Sequence, residues 1–189
     1  MPMICRARVA FVVALTCASG IVRADSWVPP SVRVEASESG EYLVRMEPGR
    51  RGQQGSRAVI YRHDAAADSY QKRRAYALPH PVSPVDILLT DDGMLVTLDE
   101  WAQVGRGTVI TVHGADGKAT HRYTLPKLLG DKAAAAAPST VSSTWWRCGK
   151  PSLIGGGHVL RVVTYDEGEL RVDLRDGSVD HEPGNGRCQ

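Results

Sequence analysis

From Asp25 onward the chain is built of short alternating runs. Over Tyr42–Met46, Tyr42, Val44 and Met46 fall on one side of an extended segment and Leu43 and Arg45 on the other. Met94, Val96 and Leu98 share a face opposite Thr97 and Asp99, and Leu170, Val172 and Leu174 oppose Arg171, Asp173 and Arg175. A period of two is the signature of strands, and an apolar side backed by a charged side belongs to an antiparallel sheet with one wet face. Helical periodicity is nearly absent, so the pattern predicts an all-β fold.

The punctuation between the runs agrees. Asp92-Gly93, Asp116-Gly117 and Asp176-Gly177 each border an apolar run and predict two-residue hairpin turns, where Asp-Gly supplies the positive φ angles required. Gly155-Gly156-Gly157, between Leu153-Ile154 and Val159-Leu160, predicts a tight reversal rather than a phosphate cradle.

The runs also group. Val32–Ala36, Tyr42–Glu47, Arg57–His63 and Tyr70–Leu78 form one unit, and Val85–Thr90, Met94–Asp99, Thr108–His113 and Ala119–Leu125 a second. A third starts at Val141–Trp146 and continues with His158–Tyr165 and Glu169–Leu174. The units occupy about 31–79, 85–129 and 140–182 of a single domain over 25–189, with a linker at about 130–140. Antiparallel four-stranded repeats are the mark of propeller blades. Within Leu128–Ser143, five alanines followed by Pro138 predict a short helix or a flexible surface linker.

The segment Thr90-Asp91-Asp92-Gly93-Met94-Leu95-Val96-Thr97-Leu98, with Val109-Ile110-Thr111-Val112 and Asp116-Gly117-Lys118, resembles a blade of bacterial Asp-Gly-turn β-propellers. Most of 25–182 is also similar to small exported bacterial proteins of no established activity, through Trp27-Val28-Pro29-Pro30, Asp99-Glu100-Trp101 and Ser142-Ser143-Thr144-Trp145-Trp146. Three units fall short of the usual four or more blades. The expected architecture is an open stack or a propeller-like sandwich.

The N-terminus changes the charge. Arg6 and Arg8 precede the apolar run Val9–Ala18, and Val22-Arg23-Ala24 reads as a signal-peptidase site, so 1–24 is a signal peptide cleaved before Asp25. The run is shorter than the ~20 residues that span a bilayer, so no integral membrane anchor remains after cleavage. The formal charge of +2 for all 189 residues then falls: losing Arg6, Arg8 and Arg23 leaves 20 basic against 21 acidic residues. The mature chain keeps Cys148 and Cys188, and a periplasmic or secreted location permits a disulfide between them.

Chemistry is sparse. No pair of the six histidines has H-x-x-x-H spacing, and Asp173, Asp176, Asp180 and Glu182 do not match a calcium loop, so no metal or other cofactor is expected. No nucleophile elbow, P-loop or dinucleotide fingerprint occurs. Asp99 and Glu100 beside Trp101 suggest acid–base work on an envelope glycan, although neighbours on a strand point to opposite faces. Trp101, Trp145 and Trp146, with Asp99 and Glu100, are the candidate ligand-binding residues, weighed against a role plugging the ends of the sheets. Eight basic residues between Arg45 and Arg74 include Arg50, Arg51 and Arg57 on a Gly/Gln loop, the candidate anion-binding residues; no Tyr or Trp there stacks bases, so no nucleic-acid partner is expected. The favoured reading is a non-catalytic recognition or scaffold module in the cell envelope; the sequence does not give its ligand, and an envelope glycan or another exported protein is the candidate partner. The alternatives are a glycan hydrolase using Asp99 and Glu100, and an assembly subunit pairing through an open sheet edge.

Overall fold

The computed structural model describes residues 28–50, 52 and 54–188; the expected signal peptide at 1–24 and the candidate Arg51 lie outside the described residues. Among the described residues twelve strands form three antiparallel sheets, each in chain order. Sheet 1 holds β1 (Arg33–Ala36), β2 (Tyr42–Glu47), β3 (Arg57–Asp64) and β4 (Ser69–Ala77). Sheet 2 holds β5 (Pro84–Leu89), β6 (Leu95–Glu100), β7 (Ile110–His113) and β8 (Ala119–Tyr123). After α1 (Leu125–Leu129) and α2 (Asp131–Ala136), sheet 3 holds β9 (Arg147–Ile154), β10 (Val159–Thr164), β11 (Glu169–Asp173) and β12 (Val179–Glu182). The fold is all-β and propeller-like, with three four-stranded sheets. Among the described residues no helix is long and apolar enough to cross a membrane.

The sheets stack in order, β1 packing on β5 and β5 on β9. Between sheets 1 and 2 lie Val44, Met46, Ile60, Leu89 and Leu95; between sheets 2 and 3 lie Val96, Leu98, Ile110, Val112, Leu160, Leu170 and Val172, all buried. Sheet 2 is thus covered on both faces. Thr97 and Asp99, on the face of β6 opposite Val96 and Leu98, are accordingly fully buried, Thr97 against His80 and Asp99 against Trp146 and Arg147. In sheet 3, an end sheet, the expected alternation holds: Leu170 and Val172 are buried while Arg171 and Asp173 are half-exposed.

The hairpin turns are longer than predicted. Gly93 (φ +82°) and Gly117 (φ +86°) each close a three-residue loop in which the glycine donates to the carbonyl three residues back, at Thr90 and Gly114. A type I turn followed by a left-handed residue is the usual three-residue solution, and glycine enters that conformation without a Cβ clash.

A further correction concerns the third unit. Val141–Trp146 is not a strand: Val141 is exposed, Thr144 forms only an isolated bridge with Ser139, and β9 begins after it at Arg147. The fourth strand of the sheet is β12, unassigned from sequence. Of the two alternatives for the alanine run, the structure has the short helix: α2 lies within 130–140 with no fully buried residue, while α1 before it buries Leu125, Leu128 and Leu129 against the core. Cys148 and Cys188 are bonded, with Cα atoms 5.6 Å apart, and tie the C-terminal tail to β9.

Candidate functional site

All three sheets begin at the same end of the stack, and there the connections before β1, β5 and β9 meet the loops after β2 and β6. They enclose a groove of about 880 Å³ lined by Val28, Pro29, Pro30, Val32, Pro48, Gly49, Arg50, Val82, Trp101, Ala102, Gln103 and Ser142. The loops are fixed by main-chain bonds. Gly49 N–H donates to the Val82 carbonyl (2.8 Å), Arg50 N–H to that of Gln54 (2.9 Å) and Trp101 N–H to that of Ser83 (2.8 Å). A Cβ on Gly49 would stand 2.4 Å from the Pro81 carbonyl oxygen, so only glycine lets the two connections meet.

The groove is apolar on most sides, with the Trp101 indole half-buried in one wall. Arg50 is exposed at the rim and has no ion-pair partner among the described residues. It also borders an adjoining depression of about 330 Å³ with Glu47, Gln54 and Arg57. There Glu47 is shared, 2.5 Å from Arg45 and 3.9 Å from Arg57, which leaves a net positive rim. The fold therefore places Trp101 and Arg50 on one groove and Arg57 in the depression beside it, residues that the sequence suggested only separately.

Asp99 and Glu100 diverge. Asp99 is fully buried with φ +55°; its Oδ1 accepts from Gly105 N–H (2.9 Å) and Trp146 Nε1–H (2.8 Å), and its Oδ2 from Arg147 Nε–H (3.0 Å). Arg147 also donates to Asp86 at 2.5 Å. A carboxylate so enclosed holds sheet 2 to the start of β9 and presents no lone pair to solvent. Glu100 turns the other way: Oε1 accepts from Val82 N–H (3.2 Å), and Oε2 lies 3.6 Å from His80 Nδ1.

His80 extends this cluster, its Nε2 lying 2.9 Å from Thr97 Oγ1. The order Thr97–His80–Glu100 is that of a nucleophile, base and orienting acid. Yet Thr97 has no solvent exposure and His80 only 4%, so no substrate carbonyl reaches the hydroxyl. Further along the same interface, His113 is buried against Tyr76, with ring centroids 5.5 Å apart. Burial pushes its pKa down to about 4, against the opposing effect of a hydrogen bond with the Gly117 backbone. Burial also pushes the Tyr76 phenol well above its ordinary value.

The three candidate tryptophans occupy three environments. Trp101 lines the groove, Trp146 is in the core, and Trp145 is 55% exposed. Trp145 borders a separate pocket of about 420 Å³ with Pro138, Tyr165, Arg187 and Cys188.

No family model matches the chain, and no curated protein matches it. Among solved structures it is similar to the periplasmic gluconolactonase PpgL of Pseudomonas aeruginosa, with 14% identity and a TM-score of 0.43 over 85% of this chain. The likeness covers 42% of that protein, so the chain spans less than half its length.

Sequence reasoning missed His80, Arg147 and the Val28–Val32 wall. His80 stands alone between Pro79 and Pro81, and its partners are far along the chain, so no local spacing reveals it. The only available sign of the wall was Pro29-Pro30, which favours extended backbone.

Proposed function

We propose that the protein is an exported, non-catalytic recognition module of the cell envelope, and that its groove holds an acidic glycan. One observation carries this reading: Trp101 and Arg50, the latter with no ion-pair partner among the described residues, border the same concave surface. A flat aromatic face stacks on the C–H face of a sugar ring, while a guanidinium pairs with a carboxylate or phosphate through two parallel hydrogen bonds. The groove volume falls in the ~300–1,000 Å³ range of small-ligand sites.

The environment of Asp99 supports the non-catalytic part. Glycoside hydrolysis needs two accessible carboxyl groups flanking one bond. Asp99 is instead committed to Gly105, Trp146 and Arg147, and faces away from Glu100. The disulfide supports export, since such bonds persist outside the cytoplasm.

Titration calorimetry with acidic and neutral oligosaccharides of equal length tests the reading. The acidic series binds, its mass is unchanged after incubation, and Trp101→Ala and Arg50→Ala each weaken binding at least tenfold. Equal binding of both series, or wild-type affinity in both variants, contradicts it.

A further inference from the structure

Sheet 2 separates sheets 1 and 3, so each end sheet turns one face outward. The strand registers identify the residues on those faces. In sheet 1, Val34, Arg45, Val59 and Ala75 lie in one row, with Glu47 and Arg57 in a second and Leu43, Tyr61 and Lys72 in a third. In sheet 3, Arg161, Arg171 and Asp180 form one row, Val163, Glu169 and Glu182 another, and Ile154, Val159 and Asp173 a third.

Both faces mix apolar and charged positions, and both leave apolar side chains in water: Val34 is 57% exposed and Ile154 37%. Their charges are opposite. On the sheet 1 ladder, Arg45, Arg57 and Lys72 outnumber Glu47, a net +2; on the sheet 3 ladder, Glu169, Asp173, Asp180 and Glu182 outnumber Arg161 and Arg171, a net −2. Arg73 and Lys150 sit in the β4 and β9 bulges, off the ladders, and counting them leaves the signs opposite.

We infer that the outward face of sheet 1 binds the outward face of sheet 3 of a second copy, so that two chains close six sheets into a ring. The contact joins unlike surfaces, and such contacts either close or grow into open filaments. Closed rings of four-stranded sheets typically contain four to eight. With three sheets among the described residues of each chain, six is the only multiple of three in that range, which corresponds to two copies. Area points the same way. Four strands about 4.8 Å apart and six residues of about 3.3 Å each give a face of roughly 400 Å². One contact then buries about 800 Å² over both partners, the size of a lattice contact, whereas the two contacts of a ring bury about 1,600 Å², the size of a stable specific interface.

Light scattering on the purified chain, with its N-terminus as the host processes it, reads the association directly. Wild type at micromolar concentration has the mass of a dimer, and its dissociation constant rises at least tenfold from low to high salt. Arg45→Glu with Lys72→Glu reverses the sheet 1 face and gives a monomer, as does Asp180→Lys with Glu182→Lys on sheet 3. All four positions are exposed, so folding is retained, and circular dichroism verifies this. Combining the four substitutions in one chain restores opposite charges and restores the dimer. A monomeric wild type, a dimer indifferent to salt, a dimer that survives either reversal, or a folded fourfold variant that stays monomeric overturns the inference.

Discussion

Asp99 illustrates how little a residue's neighbours in sequence say about its role. Its position beside Glu100 and Trp101 suggests chemistry, while its actual partners, Trp146 and Arg147, lie 47 and 48 positions away. Removing one partner of a buried ion pair costs about 3–5 kcal/mol because the other charge is stranded. Asp99→Ala is therefore expected to lower unfolding free energy by about that amount in urea, with Asp99→Asn milder because asparagine tolerates a positive φ and keeps an acceptor; a wild-type midpoint for Asp99→Ala contradicts this. His113 supplies a pH signature. Its folded-state pKa of about 4 lies below the unfolded value of about 6.5, so the unfolded chain takes up the proton first. Its contribution is complete above about pH 6.5 and is lost as pH falls toward 4, by up to about 3 kcal/mol at 1.36 kcal/mol per unit. His113→Leu should flatten that part of the profile, and superimposable profiles for variant and wild type refute the assignment.

At the scale of elements, most strands were readable because their apolar positions alternate, and the exceptions have physical causes. β12 is four residues with one apolar side chain at a sheet edge, too short to show a period. Val141–Trp146 has strand-like composition, but the loop carries Trp146 into the core while leaving Trp145 half-exposed. The alanine run drew attention to α2, whereas α1, with three buried leucines, holds sheets 2 and 3 together. Leu128→Ala should accordingly cost about 2–5 kcal/mol. The disulfide closes 40 residues of chain, and Cys188→Ser should cost about 3–4 kcal/mol in the chain-entropy model, read as the shift between oxidised wild type and variant in denaturant. An unchanged midpoint contradicts that contribution.

Across the whole molecule, the sequence revealed the class of architecture and the separate candidates Trp101 and Arg50, but not their meeting place. A groove assembled from the connections before three strands and the loops after two others depends on how sheets stack, which alternation along one strand does not encode. The functional account rests on that convergence. Amide and indole NMR spectra during addition of an acidic oligosaccharide test it most directly. The account predicts saturable shifts of the Trp101 indole together with the amides of Val32, Gly49, Arg50 and Gln103, and none at the Trp145 indole. Shifts centred on Trp145, or an unmoved Trp101 signal at saturation, would contradict it.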